Sequence, residues 1–266
     1  EGERQYLSAG VRKVRADAEK EWGAELIVWP EGAIPAYAHQ VADIFADLKL
    51  RAIETGGHLM LGIPDYNAET GESFVAMKVI GQQSQNYFKQ VLVPFGEYVP
   101  LQDWLRGAIK FLDLPMSGFT PGTNDQMALP LTKLSLLPAI CYEIVYPAIV
   151  RQLANSINKD KPGLIVTVSN DAWFGDSFGP FQHMQMARMR ALELGLPLVR
   201  ATNDGITAVV DHNGDITAQI PQFKEAVLKA TVPLVTGDTP YSQWPRFILL
   251  ALIVIPILSI KTFMRK

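Results

Sequence analysis

Short apolar segments of strand length alternate with longer helical segments along most of this chain, and this alternation restricts the fold more than any other feature. Such a pattern indicates a layered α/β domain, because each strand must bury its faces against helices or a second sheet. Two pairs of adjacent strand-like segments, joined by GQQS and by a turn containing HNG, are typical of hairpins. Hairpins join antiparallel strands, so we expect mixed sheets.

The chain has 266 residues, of which 48% are apolar, and this is enough to bury the core of one large domain. We predict helices over residues 3–22, 36–56 and 180–195, and one that follows Cys141 and ends near residue 158. The segments predicted as strands are ELIVWPE, HLMLGIPD, SFVAMKVI, QNYFKQVLV, LSLLPAI, GLIVTVSND, PLVRATND, ITAVV, DITAQI and EAVLKATV.

Composition argues against several functions. The net charge is −3 and no stripe of Lys and Arg is present, so nucleic acid is a poor candidate partner. The four histidines are scattered without the spacing of metal ligands, and no glycine-rich phosphate loop occurs, so we expect neither metal nor cofactor. Ser169 lacks the G-x-S-x-G pattern of serine hydrolases. The single cysteine excludes an internal disulfide.

Three predicted strands carry reactive side chains: Glu31 follows LIVWP, Lys89 lies within YFKQV, and Cys141 follows LLPAI. Strands are rigid supports that can hold such groups in a fixed geometry. A thiol attacks an acyl carbon as thiolate, and a nearby ammonium lowers its pKa and stabilises oxyanion charge. A carboxylate can act as general base. Together they suffice for acyl transfer through a thioester, although singly a cysteine is usually a core residue and a Lys or Glu a surface residue.

The segments WPEGAIP, YFKQVLVPFGEYVP, ICYEIVYP and SNDAWFG…MARMRALE make the chain similar to the nitrilase superfamily, and within it to the apolipoprotein N-acyltransferase family. The resemblance runs from about residue 26 to the C-terminus. It implies an αββα sandwich of mixed sheets with a catalytic triad at Glu31, Lys89 and Cys141. PFGEYVP and the long SNDAWFG block are more specific to the acyltransferase branch.

The resemblance also implies supporting residues. Glu97, in PFGEYVP, would be a second active-site carboxylate, with a loop-capping carboxylate as the alternative. Tyr142 and Glu143, directly after the nucleophile, would shape the site. His183 reads as a core or supporting residue rather than a catalytic one.

The implied reaction has two halves and needs no cofactor. Cys141 takes an acyl chain from a phospholipid, and the thioester passes it to the N-terminal amine of a diacylglyceryl-modified apolipoprotein. The family works at the bacterial inner membrane with its catalytic domain on the periplasmic side, and we expect a monomer. A small-molecule amidase or nitrilase with the same triad is the alternative function, and a non-enzymatic membrane-anchored domain is a third.

The sequence divides into two parts. Residues 1–240 are predicted to form the catalytic domain, lacking the first strand that the family has. Residues 244–264 are predicted to form a transmembrane helix with a short basic cytoplasmic tail; a buried core helix is the alternative. Its unbroken apolar run, FILLALIVIPILSI, is shorter than the roughly 20 residues needed to span hydrocarbon, and flanking residues extend it.

Two groups of apolar residues are candidates for lipid contact. Residues 101–119 are dense in large apolar side chains, including Trp104 and Phe111, and would either meet lipid or pack on the domain as a helix. Trp173 and Phe174 would line the acyl site or pack against each other.

Overall fold

The computed structural model describes residues 23–100, 118–158, 160–243 and 245–263. The helix predicted at 3–22 and the candidate lipid contacts Trp104 and Phe111 lie outside the described residues. The strands of the described part are β1 (Leu26–Glu31), β2 (His58–Asn67), β3 (Glu72–Ile80), β4 (Gln85–Phe88), β5 (Leu129–Pro130), β6 (Ser135–Ile140), β7 (Gly163–Asn170), β8 (Leu198–Asn203), β9 (Thr207–Val210) and β10 (Ile216–Ile220). The helices are α1 (Ala42–Thr55), α2 (Pro147–Asn155), α3 (Gly179–Leu194), α4 (Pro240–Gln243) and α5 (Pro245–Phe263).

The strands form two mixed sheets, as predicted. The first has the order β1-β2-β3-β4, in which β1 and β2 are parallel and the other neighbours antiparallel. The second has the order β10-β9-β8-β7-β6-β5. Its centre, β6-β7-β8, is parallel, and both of its edges are antiparallel. The parallel strands of both sheets are the ones that carry the predicted functional residues Glu31 and Cys141.

The side-chain alternation of β2 shows how the layers are built. Leu59, Leu61 and Ile63 pack in one cluster with Ile44 and Leu48 of α1. Met60, which points to the opposite face of the strand, belongs instead to the large core shared with the second sheet. That core also contains buried side chains of α2 and α3. Helices therefore cover both outer faces of two stacked sheets, which confirms the αββα sandwich.

Two strand predictions need correction. The strand predicted as QNYFKQVLV ends at Phe88, so Lys89 lies directly after β4 rather than within a strand. The segment EAVLKATV, predicted to be the closing strand, has no regular secondary structure. Its side chains are largely exposed, with Val227 59% accessible, and although Val232 packs against the core, the segment pairs with no strand of the described part of the chain.

The predicted membrane-spanning helix at 244–264 is not confirmed by the structure. A helix is present there, α5, with 19 residues and Pro256 inside it. Across the described ranges, however, no helix combines the length and the apolarity needed to cross a membrane.

Candidate active site

Cys141 begins a tight turn at the end of a fully buried strand. Every residue of β6 is buried, and the turn that follows, Cys141–Val145, is a 3₁₀ helix. The backbone of Cys141 is left-handed, with φ of 51°. Residues other than glycine rarely adopt this conformation, and where they do the strain tends to coincide with function. The strand and turn thus hold the only cysteine of the chain as a half-buried residue.

Glu31 comes to Cys141 from the other sheet. The pairing of β1 with β2 shifts register between Trp29 and Glu31, and such an irregularity re-aims a side chain. The carboxylate oxygen Oε2 of Glu31 accepts a hydrogen bond from the Asn170 backbone amide at 3.1 Å. The backbone carbonyl of Glu31 accepts one from Asn203 Nδ2 at 2.6 Å. Asn170 and Asn203 end β7 and β8, so Glu31 is fixed where the parallel strands of both sheets end.

Lys89 supplies a buried positive charge. Its side chain has no solvent exposure, and its Nζ lies 4.0 Å from Oε1 of Glu31 and forms a close ion pair with Glu97. The second carboxylate oxygen of Glu97 accepts from the Val93 amide at 2.8 Å, which fixes this carboxylate in turn. A fully buried lysine is rare unless it is paired. The structure therefore places Glu97 beside Lys89, with one carboxylate oxygen paired to the ammonium and the other capping the loop at Val93.

The charged groups in the site shift one another's pKa values. Burial alone would lower the pKa of Lys89, but the charges of Glu31, Cys141 and Glu97 outweigh it and raise that pKa above its ordinary value. Burial raises the pKa of the Glu31 carboxyl, and the Lys89 charge opposes this without cancelling it. Lys89 is thus a permanent cation, whereas Glu31 is a carboxylate with more affinity for a proton than usual. This is the property that a general base needs.

The pKa of the Cys141 thiol is raised, whereas the sequence analysis predicts a lowered one. Burial and the charge of Glu31 raise the pKa of Cys141 to about 12, although Lys89 lowers it as predicted. The ammonium alone therefore does not maintain a standing thiolate. The Glu31 carboxylate lies near enough for its charge to raise the pKa of the thiol, so a group that can accept the thiol proton is close by. The arrangement favours proton transfer to Glu31 together with attack by sulfur.

Glu143 is buried beneath the nucleophile and has no solvent exposure. Its Oε1 accepts from the Gln90 and Val91 amides at 2.5 and 3.3 Å and from the Tyr87 hydroxyl at 3.1 Å. Its Oε2 accepts from the Ile140 amide at 2.9 Å. Burial raises the pKa of Glu143 to about 7, against the opposing effect of these amides and of the Lys89 charge. Glu143 therefore joins the strand before Cys141 to the loop after Lys89.

The aromatic candidates lie on the surface. Trp173 is 84% exposed, so it does not form a packed pair with Phe174, whose ring instead meets His183 edge-on at 6.0 Å between centroids. Tyr142 is partly exposed and contacts the Tyr146 ring edge-on at 5.5 Å. Sequence analysis missed Phe178 and Phe181, which are also exposed. We name the exposed side chains of Trp173, Phe174, Phe178 and Phe181 the aromatic rim.

Sequence analysis also missed a buried polar network behind Cys141, made of Ser169, Asp171, His183 and Arg200. One signal was present in the sequence: Arg200 lies inside the apolar strand PLVRATND. An arginine in a buried strand needs an anionic partner. In the described ranges no cluster of three or more His, Cys, Asp or Glu side chains could hold a metal ion.

Comparison with known proteins agrees with this geometry. The profile of the carbon-nitrogen hydrolase family matches residues 4–240. The chain is 48% identical over 225 residues to an apolipoprotein N-acyltransferase of Pseudomonas syringae pv. tomato, an alignment that covers 83% of this chain and 43% of that protein. It is 44% identical over 240 residues to an apolipoprotein N-acyltransferase of Photobacterium profundum, with coverage of 86% and 46%. The chain thus spans less than half the length of these curated relatives.

Among solved structures, a carbon-nitrogen hydrolase from Helicobacter pylori G27 superposes with a TM-score of 0.62 at 14% identity, covering 84% of this chain and 82% of that one. At this identity the likeness concerns the fold alone. It agrees with the two stacked mixed sheets described above.

Proposed function

This chain belongs to the carbon-nitrogen hydrolase family, and from that premise we propose that it carries out N-acyl transfer. In this proposal a fatty acyl chain moves from a phospholipid, through a thioester on Cys141, to the N-terminal amine of a diacylglyceryl-modified apolipoprotein. The observation that carries the proposal is the convergence of Glu31, Lys89 and Cys141 from two sheets. The names of the curated relatives, apolipoprotein N-acyltransferase, support N-acylation of an apolipoprotein acceptor.

In the first half-reaction Glu31 accepts the thiol proton while Sγ of Cys141 attacks the ester carbonyl of the phospholipid. The carbonyl oxygen becomes an oxyanion, which the buried ammonium of Lys89 stabilises. The carbon–oxygen bond of the ester then breaks. Glu31 returns the proton to the departing alkoxide, so the products are a thioester and a lysophospholipid.

In the second half-reaction the amine of the acceptor attacks the thioester carbonyl. Glu31 removes a proton from the attacking nitrogen, and Lys89 again stabilises the oxyanion. The carbon–sulfur bond breaks, the thiolate leaves, and Glu31 returns the proton to sulfur. The amide product departs and the site is restored, because one proton has moved through Glu31 in each direction.

The aromatic rim favours a lipid donor over a small soluble amide. Trp173 and Phe178 are both more than four-fifths exposed, and both belong to the segment that follows β7, whose end contacts Glu31. A soluble protein that acts on small polar substrates has little reason to expose several large aromatic side chains close together. The placement of the domain on the periplasmic side of a bacterial inner membrane, its monomeric state and its lack of cofactors stay predictions.

The test supplies the full chain with phospholipid vesicles and a peptide that begins with diacylglyceryl-cysteine. We expect lysophospholipid and N-acylated peptide in equal amounts, and neither with the Cys141→Ala variant. Free fatty acid without N-acylated peptide would replace the proposal with a hydrolase that uses water as acceptor. The absence of any lysophospholipid would overturn the proposal and leave a small-molecule amidase or nitrilase, or a non-enzymatic domain.

A further inference from the structure

The backbone carbonyl of Cys141 has a side-chain partner. Nε2 of His183, on α3, lies 3.1 Å from this oxygen, and the His183 side chain is only 4% exposed. Because a carbonyl can only accept, Nε2 must carry the proton and donate it. The hydrogen bond is made to the residue with φ of 51°, where the backbone is strained. The His183 side chain therefore contacts the backbone of Cys141 and not the Cys141 thiol.

The other side of the imidazole is anchored. Nδ1 of His183 lies 3.1 Å from Oδ1 of Asp171 and 3.0 Å from Nη2 of Arg200. Asp171 also accepts from Ser169 Oγ at 2.6 Å and from Arg200 Nη2 at 2.7 Å. Burial alone would raise the pKa of Asp171, but the hydrogen bond of His183 and the charge of Arg200 lower it to about 2. Asp171 is thus an ionised, buried anchor that fixes the orientation of the His183 ring.

The same helix holds the far end of the turn. Arg190 lies two helical turns after His183, and its Nη1 donates to the carbonyls of Ile144 and Val145 at 3.4 and 3.3 Å. Its Nη2 pairs with Glu193 at 2.7 Å. Residues seven positions apart share a helix face, so α3 presents two donors to the two ends of the turn Cys141–Val145.

We propose that His183 is a positioning residue for the nucleophile: its hydrogen bond to the Cys141 carbonyl holds the left-handed backbone that directs the thiol toward Glu31. The inference rests on the proposed use of Cys141 as nucleophile, and on no particular donor or acceptor. A left-handed residue other than glycine is strained and persists only where its surroundings fix it. Without the donor, the turn relaxes and the thiol loses its acceptor.

Two substitutions of His183 separate a positioning role from a purely structural one, because each keeps one of the two hydrogen bonds of the imidazole. The amide nitrogen of glutamine reaches about as far as Nε2, so His183→Gln keeps a donor for the Cys141 carbonyl. Asparagine reaches only about as far as Nδ1, so His183→Asn keeps a partner for Asp171 and loses the donor to Cys141. The two variants differ in one methylene group and in which end of the network they retain.

The measurement is the second-order rate of Cys141 alkylation by iodoacetamide in the full chain, with the melting temperature of each variant recorded. In this reaction sulfur displaces iodide and Glu31 takes the thiol proton, so no lipid is involved. We expect His183→Asn to slow alkylation about tenfold, as the loss of one buried hydrogen bond allows, and His183→Gln to stay within about threefold of the unmodified protein. With a short-chain thioester as substrate, kcat should fall in the same ratio while KM stays unchanged.

Equal rates for His183→Asn and the unmodified protein, with both folded, would overturn the inference. Equal slowing by the asparagine and glutamine variants would do so as well, since the hydrogen bond would then not be the cause. If His183→Asn melts below the assay temperature, the same comparison is made with Asp171→Asn, which loosens the ring but leaves Nε2 in place and should give an intermediate rate. An unchanged rate there would also count against the inference. Failure of the proposed function is recognised separately, because alkylation does not depend on acyl transfer.

Discussion

The ammonium nitrogen of Lys89 lies 4.0 Å from carboxylate oxygen Oε1 of Glu31, although the two residues come from opposite edges of the same four-stranded sheet. Lys89 has no solvent exposure, so the attraction is little screened by water. The pair provides a fixed cation and a carboxylate with a raised pKa within reach of one thiol. The first two predictions test these two charges.

Replacing Lys89 with methionine should abolish most acyl transfer. Methionine keeps the length of the side chain but removes the charge that stabilises the oxyanion, so we expect kcat to fall about 10²–10³-fold. The substitution also leaves Glu97 without its cation, which should lower stability. The double variant Lys89→Met/Glu97→Gln is the control: it should recover stability without recovering kcat. Near-normal turnover of either variant would remove Lys89 from the site.

The rate of acyl-enzyme formation should fall in acid at a higher pH than an ordinary carboxyl would give. Burial raises the pKa of Glu31 above 4.5, and the charge of Glu97 adds to this while that of Lys89 opposes it. Glu31 accepts a proton only when ionised, so activity is lost as pH falls through this raised value. Single-turnover kinetics with a short-chain ester between pH 4 and 9 measures the position of the decline. A decline centred at or below pH 4.5 would contradict the assignment.

Glu143 should make stability depend on pH. Its pKa is about 7 in the folded protein against an ordinary 4.5, so the folded state holds a proton that the unfolded chain releases between these values. The contribution of this group to stability is full below about pH 4.5 and is lost as pH rises through about 7. The loss is about 3 kcal/mol. Urea unfolding at pH 4.5 and 8 should show it, and the non-titrating variant Glu143→Gln should lack that part of the slope. Parallel pH curves for the two proteins would show that Glu143 is ionised throughout.

The aromatic rim should matter for lipid donors and little for the fold. Trp173 and Phe178 are 84% and 82% exposed, so changing both to serine should alter stability by less than about 1 kcal/mol. If they contact lipid, turnover of a long-chain phospholipid should fall, because each buried aromatic side chain contributes roughly 1.5–3 kcal/mol. A soluble short-chain ester should react as before. Equal losses of turnover on both substrates would show that the aromatic rim does not act through lipid binding.

Much of this architecture follows from the sequence. β1, β2, β3, β6, β7 and α3 lie where hydrophobic pattern and turn residues predict them. EAVLKATV has the composition of a strand but lies exposed and irregular. Its apolar residues signal burial only if a neighbouring layer is present, and that is a property of the tertiary fold.

The triad positions were accessible to sequence analysis through motifs, but their electrostatics were not. Adjacency of Cys141 and Lys89 suggests a lowered thiol pKa, whereas burial and the Glu31 charge together raise it. The sum depends on depth and on distance, which spacing along the chain does not reveal. The anchoring of His183 by Asp171 and Arg200 joins residues from a turn, a helix and a strand, so only the folded structure brings it together.

The central claim is that Cys141 carries the acyl chain. Intact mass spectrometry of the full chain after incubation with a phospholipid of one defined acyl chain, without acceptor, tests it most directly. We predict a mass increase of one acyl chain, removable by hydroxylamine, and no increase in the Cys141→Ser variant, because a serine hydroxyl has a much higher pKa and is a poorer nucleophile in the same site. The same acyl adduct on the serine variant, or no adduct on the unmodified protein while lysophospholipid is released, would contradict the account.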